Sequence, residues 1–269
     1  MSSISDIPPA TTPTSDSESD IPKITLHWLE KSRSQRILWL LEEIQVPYEI
    51  KTYKRDPKTN LAMPGLKAVH PLGKSPAVTI GEHTIAESAV IVEYLSEHFG
   101  AGLIPTKWRD GCEGKAGGET AEYMRYRYYM HYCEGSLMSL LVVSLIANNI
   151  KNAPVPFFIR PVTSQISGKI RAGYLDPNFV SHFGFLEEQL ASAPNGGPYL
   201  CGDKLTGADM MMSFPILVVT SGTGDRGPAD LTKETHPRLF AYAELLKESE
   251  SYKRAVEKIV ALEGEYTLF

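Results

Sequence analysis

Cysteine is scarce in this sequence, with three among 269 residues. Cys112, Cys133 and Cys201 lie far apart, and none belongs to a Cys-x-x-Cys pair. This pattern argues against a disulfide framework and against a zinc site, so we expect no bound metal. It is typical of a reducing compartment, and we therefore expect a cytoplasmic protein.

Long hydrophobic runs are also missing. The longest apolar run, Leu137–Ala147, is interrupted by Ser139 and Ser144. A helix that spans a bilayer needs about 20 apolar residues. The first twenty residues also lack the basic and apolar regions of a signal peptide. We predict no integral membrane segment, although peripheral membrane association stays open.

Basic residues form no dense block. The chain has 27 Lys and Arg against 32 Asp and Glu, a formal net charge of -5. A protein that binds nucleic acid usually carries a basic patch. We therefore expect no nucleic-acid partner.

The chain divides into four parts by composition. Residues 1–21 are rich in Ser, Thr, Pro and Asp, cannot bury much apolar surface, and are predicted to be a disordered tail. Residues 22–100 carry both strand and helix patterns, and residues 121–269 carry helix patterns alone. Six glycines between residues 100 and 120 indicate a linker over residues 101–120.

The pattern of residues 22–100 predicts a β-α-β-loop-β-β-α order, which is typical of a small mixed sheet with helices on its faces. Its predicted elements are strand Ile24–Trp28, helix Ser32–Ile44, strand Tyr48–Lys54, a hairpin of Ala77–Ile80 with His83–Ile85, and helix Glu87–His98. In the helical part, a long helix starts at Ala121 and is predicted to bend near Gly135. Farther on, Thr206 and Asp209 have the spacing of a capping box.

Three strings place polar groups where a strand meets a helix or a turn: HWLEKSRSQRILWLLEE, HPLGKSPAV and IAESAVIVEYL. With YKRDP and HYCEGSLM, they resemble the cytosolic glutathione transferases, and more narrowly the fungal class that includes a yeast enzyme associated with the endoplasmic reticulum. The resemblance runs from about Ile24 to Leu262. It implies a thioredoxin-like α/β domain followed by an all-α domain, glutathione as co-substrate, and a homodimer.

Ser32 is the residue that the resemblance assigns to the glutathione sulfur. A free thiol has a pKa near 8.5, so a donor beside the sulfur is needed to keep it ionised at neutral pH. Ser32 with Gln35 also fits a capping box, which is a purely structural alternative. Ser34 is the nearby competitor for the catalytic role.

The resemblance also assigns the groups that bind the glutathione peptide. Pro76 would follow a cis bond and let the Ser75 backbone pair with the cysteinyl part, while Lys74 would meet the glycyl carboxylate. Glu87 and Ser88, at the start of a helix, would bind the γ-glutamyl end. As isolated short motifs, these residues fit an ordinary loop and an ordinary helix cap equally well.

The helical part would supply a pocket for a small hydrophobic electrophile. Tyr123 and Arg127 are its candidate residues, although core and dimer packing is the simpler explanation of this aromatic helix. Glu122 and Glu134 are candidates for a carboxylate that crosses to the neighbouring subunit. Spacing does not choose between these two carboxylates.

We therefore expect a glutathione transferase that conjugates glutathione to electrophiles in detoxification. One alternative is glutathione-dependent peroxide reduction by the same thiolate. Another is a non-catalytic protein that binds glutathione or a hydrophobic ligand.

Overall fold

A computed structural model describes residues 21–222, 227–228 and 230–268. The predicted tail, apart from its last residue, lies outside the described residues. The first part of the chain forms four strands and two α-helices. These elements are β1 (Ile24–Leu29), α1 (Ser34–Ile44), β2 (Glu49–Tyr53), β3 (Ala77–Ile80), β4 (His83–Ala86) and α2 (Ser88–Phe99).

The strands form one sheet in the order β2-β1-β3-β4. β1 pairs parallel with β2 and antiparallel with β3, so that Leu26 lies opposite both Ile50 and Val78. Leu26 and Val78 are fully buried, because apolar side chains on the sheet face the helices. The predicted thioredoxin-like fold is confirmed.

Helix α1 begins two residues later than the sequence pattern predicts. Lys31 has a φ of 48°, and Arg33 occupies the cap position, so the chain turns once more before the helix starts. Ser32 therefore lies in the turn between β1 and α1. The capping box of Ser32 with Gln35, the structural alternative to a catalytic role, does not form, since the Gln35 side chain donates to the Thr267 carbonyl instead, at 2.8 Å.

The rest of the described chain is helical, as predicted. Its α-helices are α3 (Ala121–Tyr132), α4 (Ser139–Lys151), α5 (Arg160–Ile170), α6 (Asp176–Ala191), α7 (Gly207–Thr220), α8 (Pro237–Glu248) and α9 (Glu250–Glu263).

Helices α3 and α4 are joined without a break by a π-helical segment, Cys133–Met138. The π-helical segment contains Gly135, the residue near which the sequence predicts a bend. By length and composition alone, the joined helix Ala121–Lys151 is apolar enough to cross a membrane. That is weak evidence, because core helices pass the same test, and the α3 part packs against α7.

The predicted capping box at the start of α7 is confirmed. The Asp209 carboxylate accepts hydrogen bonds from the Thr206 backbone N–H at 2.8 Å and from the Tyr242 hydroxyl at 2.7 Å. Burial raises the pKa of Asp209, while these hydrogen bonds act in the opposite direction. This buried network fixes α7, the helix that packs on both α1 and α2.

An ion cluster joins the two domains beside the N-terminus of α1. Glu134, in the π-helical segment, accepts hydrogen bonds from Arg33 at 2.5 Å and from Arg36. The Arg36 side chain is completely buried and lies 5.2 Å from the centre of the Phe214 ring. A buried guanidinium needs such a partner, because an unpaired charge is costly to desolvate.

We expect Glu134→Gln to lower the free energy of unfolding by about 3 kcal/mol, because it leaves Arg36 buried without its anionic partner. The matched control is Glu244→Gln, which removes an exposed ion pair with Lys247 and should cost less than ~1 kcal/mol. Denaturant unfolding measures both changes.

The pH dependence of this difference tests the ionic character of the cluster. Burial raises the pKa of Glu134, but Arg36 and Arg33 outweigh it and hold the pKa below its usual range. A carboxyl with a lowered folded-state pKa stabilises the protein above its unfolded pKa of about 4.3, and that stability is lost as pH falls through the folded value. The difference in the free energy of unfolding between wild type and Glu134→Gln should shrink as pH falls below about 4. A difference in unfolding free energy that does not change with pH would show that Glu134 does not act through an ion pair.

Candidate functional site

The turn before β3 contains the only cis peptide bond among the described residues, between Ser75 and Pro76, as predicted. Its side chains hold it against β1 and α1. The Ser75 hydroxyl donates to the His27 carbonyl at 3.3 Å, and its Oγ lies 2.5 Å from the Ser34 Oγ. The turn and the start of α1 are therefore in direct contact.

Ser32 is buried just before α1. Its hydroxyl lies 2.7 Å from the Leu29 carbonyl and 3.0 Å from the Ser34 Oγ, and it accepts from the Ser34 backbone N–H at 3.2 Å. A hydroxyl has one proton to donate. Ser32 must therefore rotate away from these partners to donate to a ligand.

A cavity of about 230 Å³ opens beside the cis bond. All five residues predicted to bind the glutathione peptide line it, whereas Ser32 is not among its lining residues. The cavity is lined by Arg33, His70, Leu72, Lys74, Ser75, Pro76, Ala86, Glu87, Ser88 and Glu134.

One wall of the cavity is the start of α2. Ser88 is the first residue of this helix and is 5% exposed. The N-terminus of a helix carries partial positive charge and free N–H groups, which suit an anion. Glu87 has a φ of 72°, an uncommon value for a residue other than glycine. Such a conformation costs about 1–3 kcal/mol and occurs often at functional sites.

Charges of both signs meet in the cavity. Arg33, His70 and Lys74 contribute basic groups, and Glu87 and Glu134 contribute carboxylates. The Nδ1 atom of His70 is buried and has no hydrogen-bond partner among the described residues. The arrangement suits a small ligand with several charges rather than a purely apolar one.

Tyr123 and Arg127, the candidates for an electrophile pocket, do not line this cavity, and their predicted role stays a prediction. Arg127 lies in a separate open groove on α3, together with Tyr128. Tyr123 stacks on Tyr126, with ring centres 6.2 Å apart. Arg127 stands seven residues before Glu134, roughly 10 Å along the helix axis.

Glu134 is the residue of the long helix that reaches the cavity, and it binds Arg33 and Arg36 of its own chain. The other candidate carboxylate, Glu122, accepts from the Asn195 side chain at 3.0 Å. Arg33 was missed as a site residue. The only signal for it was its place directly after Ser32, because its partner Glu134 is 101 residues away.

A second cavity, of about 440 Å³, lies beside the linker and contains none of the residues predicted to bind glutathione, although the candidate carboxylate Glu122 lines it. Cys201 lines it, but burial raises the pKa of this thiol, so it is not a ready nucleophile. We place the candidate site at the smaller cavity because the chemical groups converge there. In the described part of the chain, no group of three His, Cys, Asp or Glu side chains is arranged to hold a metal.

Two family models match parts of the chain. Residues 22–97 match the family described as glutathione S-transferase, N-terminal domain, and residues 161–258 match glutathione S-transferase, C-terminal domain. The first match contains the cis bond and the start of α2.

Two fungal proteins are similar to the chain over most of its length. Glutathione S-transferase 1 of Saccharomyces cerevisiae is 32% identical over 249 residues, which cover 90% of this chain and 97% of the relative. Glutathione S-transferase 3 of Schizosaccharomyces pombe is 36% identical over 193 residues, which cover 72% of this chain and 73% of the relative.

Among solved structures, a glutathione transferase homologue from Sulfitobacter with bound glutathione has the same fold. Its TM-score is 0.61 at 18% identity, with 88% of this chain and 99% of that chain covered. Fold, domain matches and fungal relatives agree: the chain belongs to the glutathione S-transferase family.

Proposed function

We propose that the protein binds glutathione in the cavity beside the cis bond and transfers its sulfur to an electrophilic carbon. The observation that carries this proposal is the convergence of Lys74, Ser75, Pro76, Glu87 and Ser88 on one cavity. Glutathione has two carboxylates and one ammonium group, and the cavity offers a matching group for each of these three charges. The Sulfitobacter homologue with bound glutathione adds support through its shared fold.

The two ends of the peptide bind to opposite walls. The γ-glutamyl carboxylate accepts from Ser88 and from the N-terminus of α2, and the γ-glutamyl ammonium pairs with Glu87. The glycyl carboxylate pairs with Lys74. Between them, the cysteinyl backbone pairs with Ser75 as a peptide pairs with a strand edge.

The reaction requires the thiol to lose its proton to solvent. Ser32 rotates from the Leu29 carbonyl and donates to the thiolate, which lowers the thiol pKa. The thiolate then forms a carbon–sulfur bond, and the electrophile loses its leaving group with the bonding electron pair. Leu72, 63% exposed at the cavity, offers an apolar contact for a small hydrophobic electrophile.

We expect Ser32→Ala to reduce conjugation of an aromatic halide at least 10-fold at neutral pH, because a rise of one pKa unit in the thiol costs about 1.4 kcal/mol. Glutathione affinity should change little. Steady-state kinetics with calorimetric binding measures both. Retained turnover in Ser32→Ala with loss in Ser34→Ala would assign the role to Ser34. A lower melting temperature alone would indicate that Ser32 only stabilises the turn before α1.

Two alternatives predict other outcomes in the wild-type protein. A glutathione-dependent peroxidase reduces an organic hydroperoxide faster than it conjugates the halide, because the thiolate attacks oxygen. A non-catalytic binder takes up glutathione with no turnover in either assay. We favour conjugation because both fungal relatives are named as glutathione S-transferases, and we infer that it takes place in the cytoplasm.

We also propose a homodimer in which the sheet domain of one subunit packs on α3 of the other. Val90 on α2 is 48% exposed, and Met124 and Tyr128 on α3 are 49% and 47% exposed. Under two-fold symmetry, these two patches meet twice in one interface. The interface would bury these exposed apolar side chains of both α2 and α3, which are otherwise in contact with water.

Light scattering should give the mass of two chains for the wild type and of one chain for Tyr128→Glu, which places a charge in the apolar patch. Val180→Glu is the control, because Val180 is 55% exposed on α6, outside the proposed interface. A wild type with the mass of one chain would reject the dimer.

A further inference from the structure

The ion cluster beside the cavity carries one more positive charge than negative. Arg33 and Arg36 share the single carboxylate of Glu134. Arg36 is completely buried, and its Nε and Nη2 atoms have no hydrogen-bond partner among the described residues. No second carboxylate pairs with either arginine in the described part of the chain. The cluster is therefore suited to receive an anion.

Arg33 is the member of the cluster that a ligand can reach. Its side chain is 41% exposed and lines the cavity. A guanidinium has five N–H donors, and the one side-chain hydrogen bond of Arg33 within the described residues is donated by Nη1 to Glu134. The remaining donors are available to a bound molecule.

The position of Arg33 relative to the cis bond indicates which part of a bound ligand Arg33 would contact. Ser34, the next residue, has its Oγ 2.5 Å from the Ser75 Oγ. A cysteinyl group paired with the Ser75 backbone would therefore place its sulfur at the start of α1. This step rests on the proposed function, because it takes glutathione as the ligand.

We propose that Arg33 is a second catalytic residue, whose guanidinium donates to the glutathione sulfur, and that Glu134 is the positioning residue that holds Arg33 there. The thiolate supplies the anion that the cluster lacks. Arginine remains charged throughout the working pH range, and so its donors are always present. The hydroxyl proton of Ser32, in contrast, already has the Leu29 carbonyl as a partner.

The other charged groups around the cavity favour this assignment. Lys74 and the N-terminus of α2 already suit the two carboxylates of glutathione, which leaves the sulfur for Arg33. Three further titratable groups face the cavity: His70 from the loop before the cis bond, Glu87 from the start of α2, and Glu134 from the long helix. The Glu134 carboxylate would repel a thiolate, and its hydrogen bonds with Arg33 and Arg36 offset that negative charge.

The test is a titration of bound glutathione by thiolate absorbance in wild type, Arg33→Met and Arg33→Lys. We expect Arg33→Met to raise the thiol pKa by about one unit, so that turnover below that pKa falls about 10-fold. Arg33→Lys should recover part of this loss, because it keeps the charge without the planar donor geometry. The affinity for S-methylglutathione, which has no ionisable thiol, should stay within about two-fold of wild type in both variants.

Lys74→Met is the matched control, since it removes a cation from the same cavity. It should weaken glutathione and S-methylglutathione equally and leave the thiol pKa unchanged. The proposal is overturned if Arg33→Met leaves the thiol pKa unchanged, or if it weakens S-methylglutathione as Lys74→Met does. Arg33→Gln replaces Arg33→Met if the latter does not fold. If the wild-type protein binds no glutathione, the proposed function itself is rejected. That result differs from the two outcomes that overturn the role of Arg33, because in both of those the wild type still binds glutathione.

Discussion

The carboxylate of Glu134 between Arg33 and Arg36 is the interaction on which the geometry of the site depends. It is the point where the helical domain reaches across to the first turn of α1. The charge of the completely buried Arg36 would be costly to leave without this partner, so the ion pair holds the two domains together at this point. The cavity lies in the same junction, where Glu134 is its lining residue from the helical domain.

Three local backbone features then complete the cavity. The cis bond before Pro76 presents the turn, the positive φ of Glu87 sets the start of α2, and the positive φ of Lys31 delays the start of α1. Each concerns the beginning of a helix or a turn beside the cavity rather than a long side chain. Backbone groups arranged in this way suit a peptide ligand whose charges are spread along its length.

Much of the sheet domain could be predicted from sequence because its signals are local. The hairpin of β3 and β4, like the capping box at Asp209 in the helical domain, depends on residues within a few positions of one another, whereas the cis bond was expected from the family resemblance. The pairing of Arg33 with Glu134 spans 101 residues, and no spacing rule indicates it. Helical periodicity likewise does not show that the turn of the long helix with Glu134, rather than the turn with Tyr123 and Arg127, lines this cavity.

A crystal structure of the protein with reduced glutathione tests the central claim most directly. We predict a peptide that pairs with the Ser75 backbone, with its γ-glutamyl carboxylate at Ser88 and its sulfur within about 3.5 Å of an Arg33 nitrogen. Glutathione bound in the cavity beside the linker would contradict the account. A sulfur turned away from the start of α1 would contradict the role of Arg33.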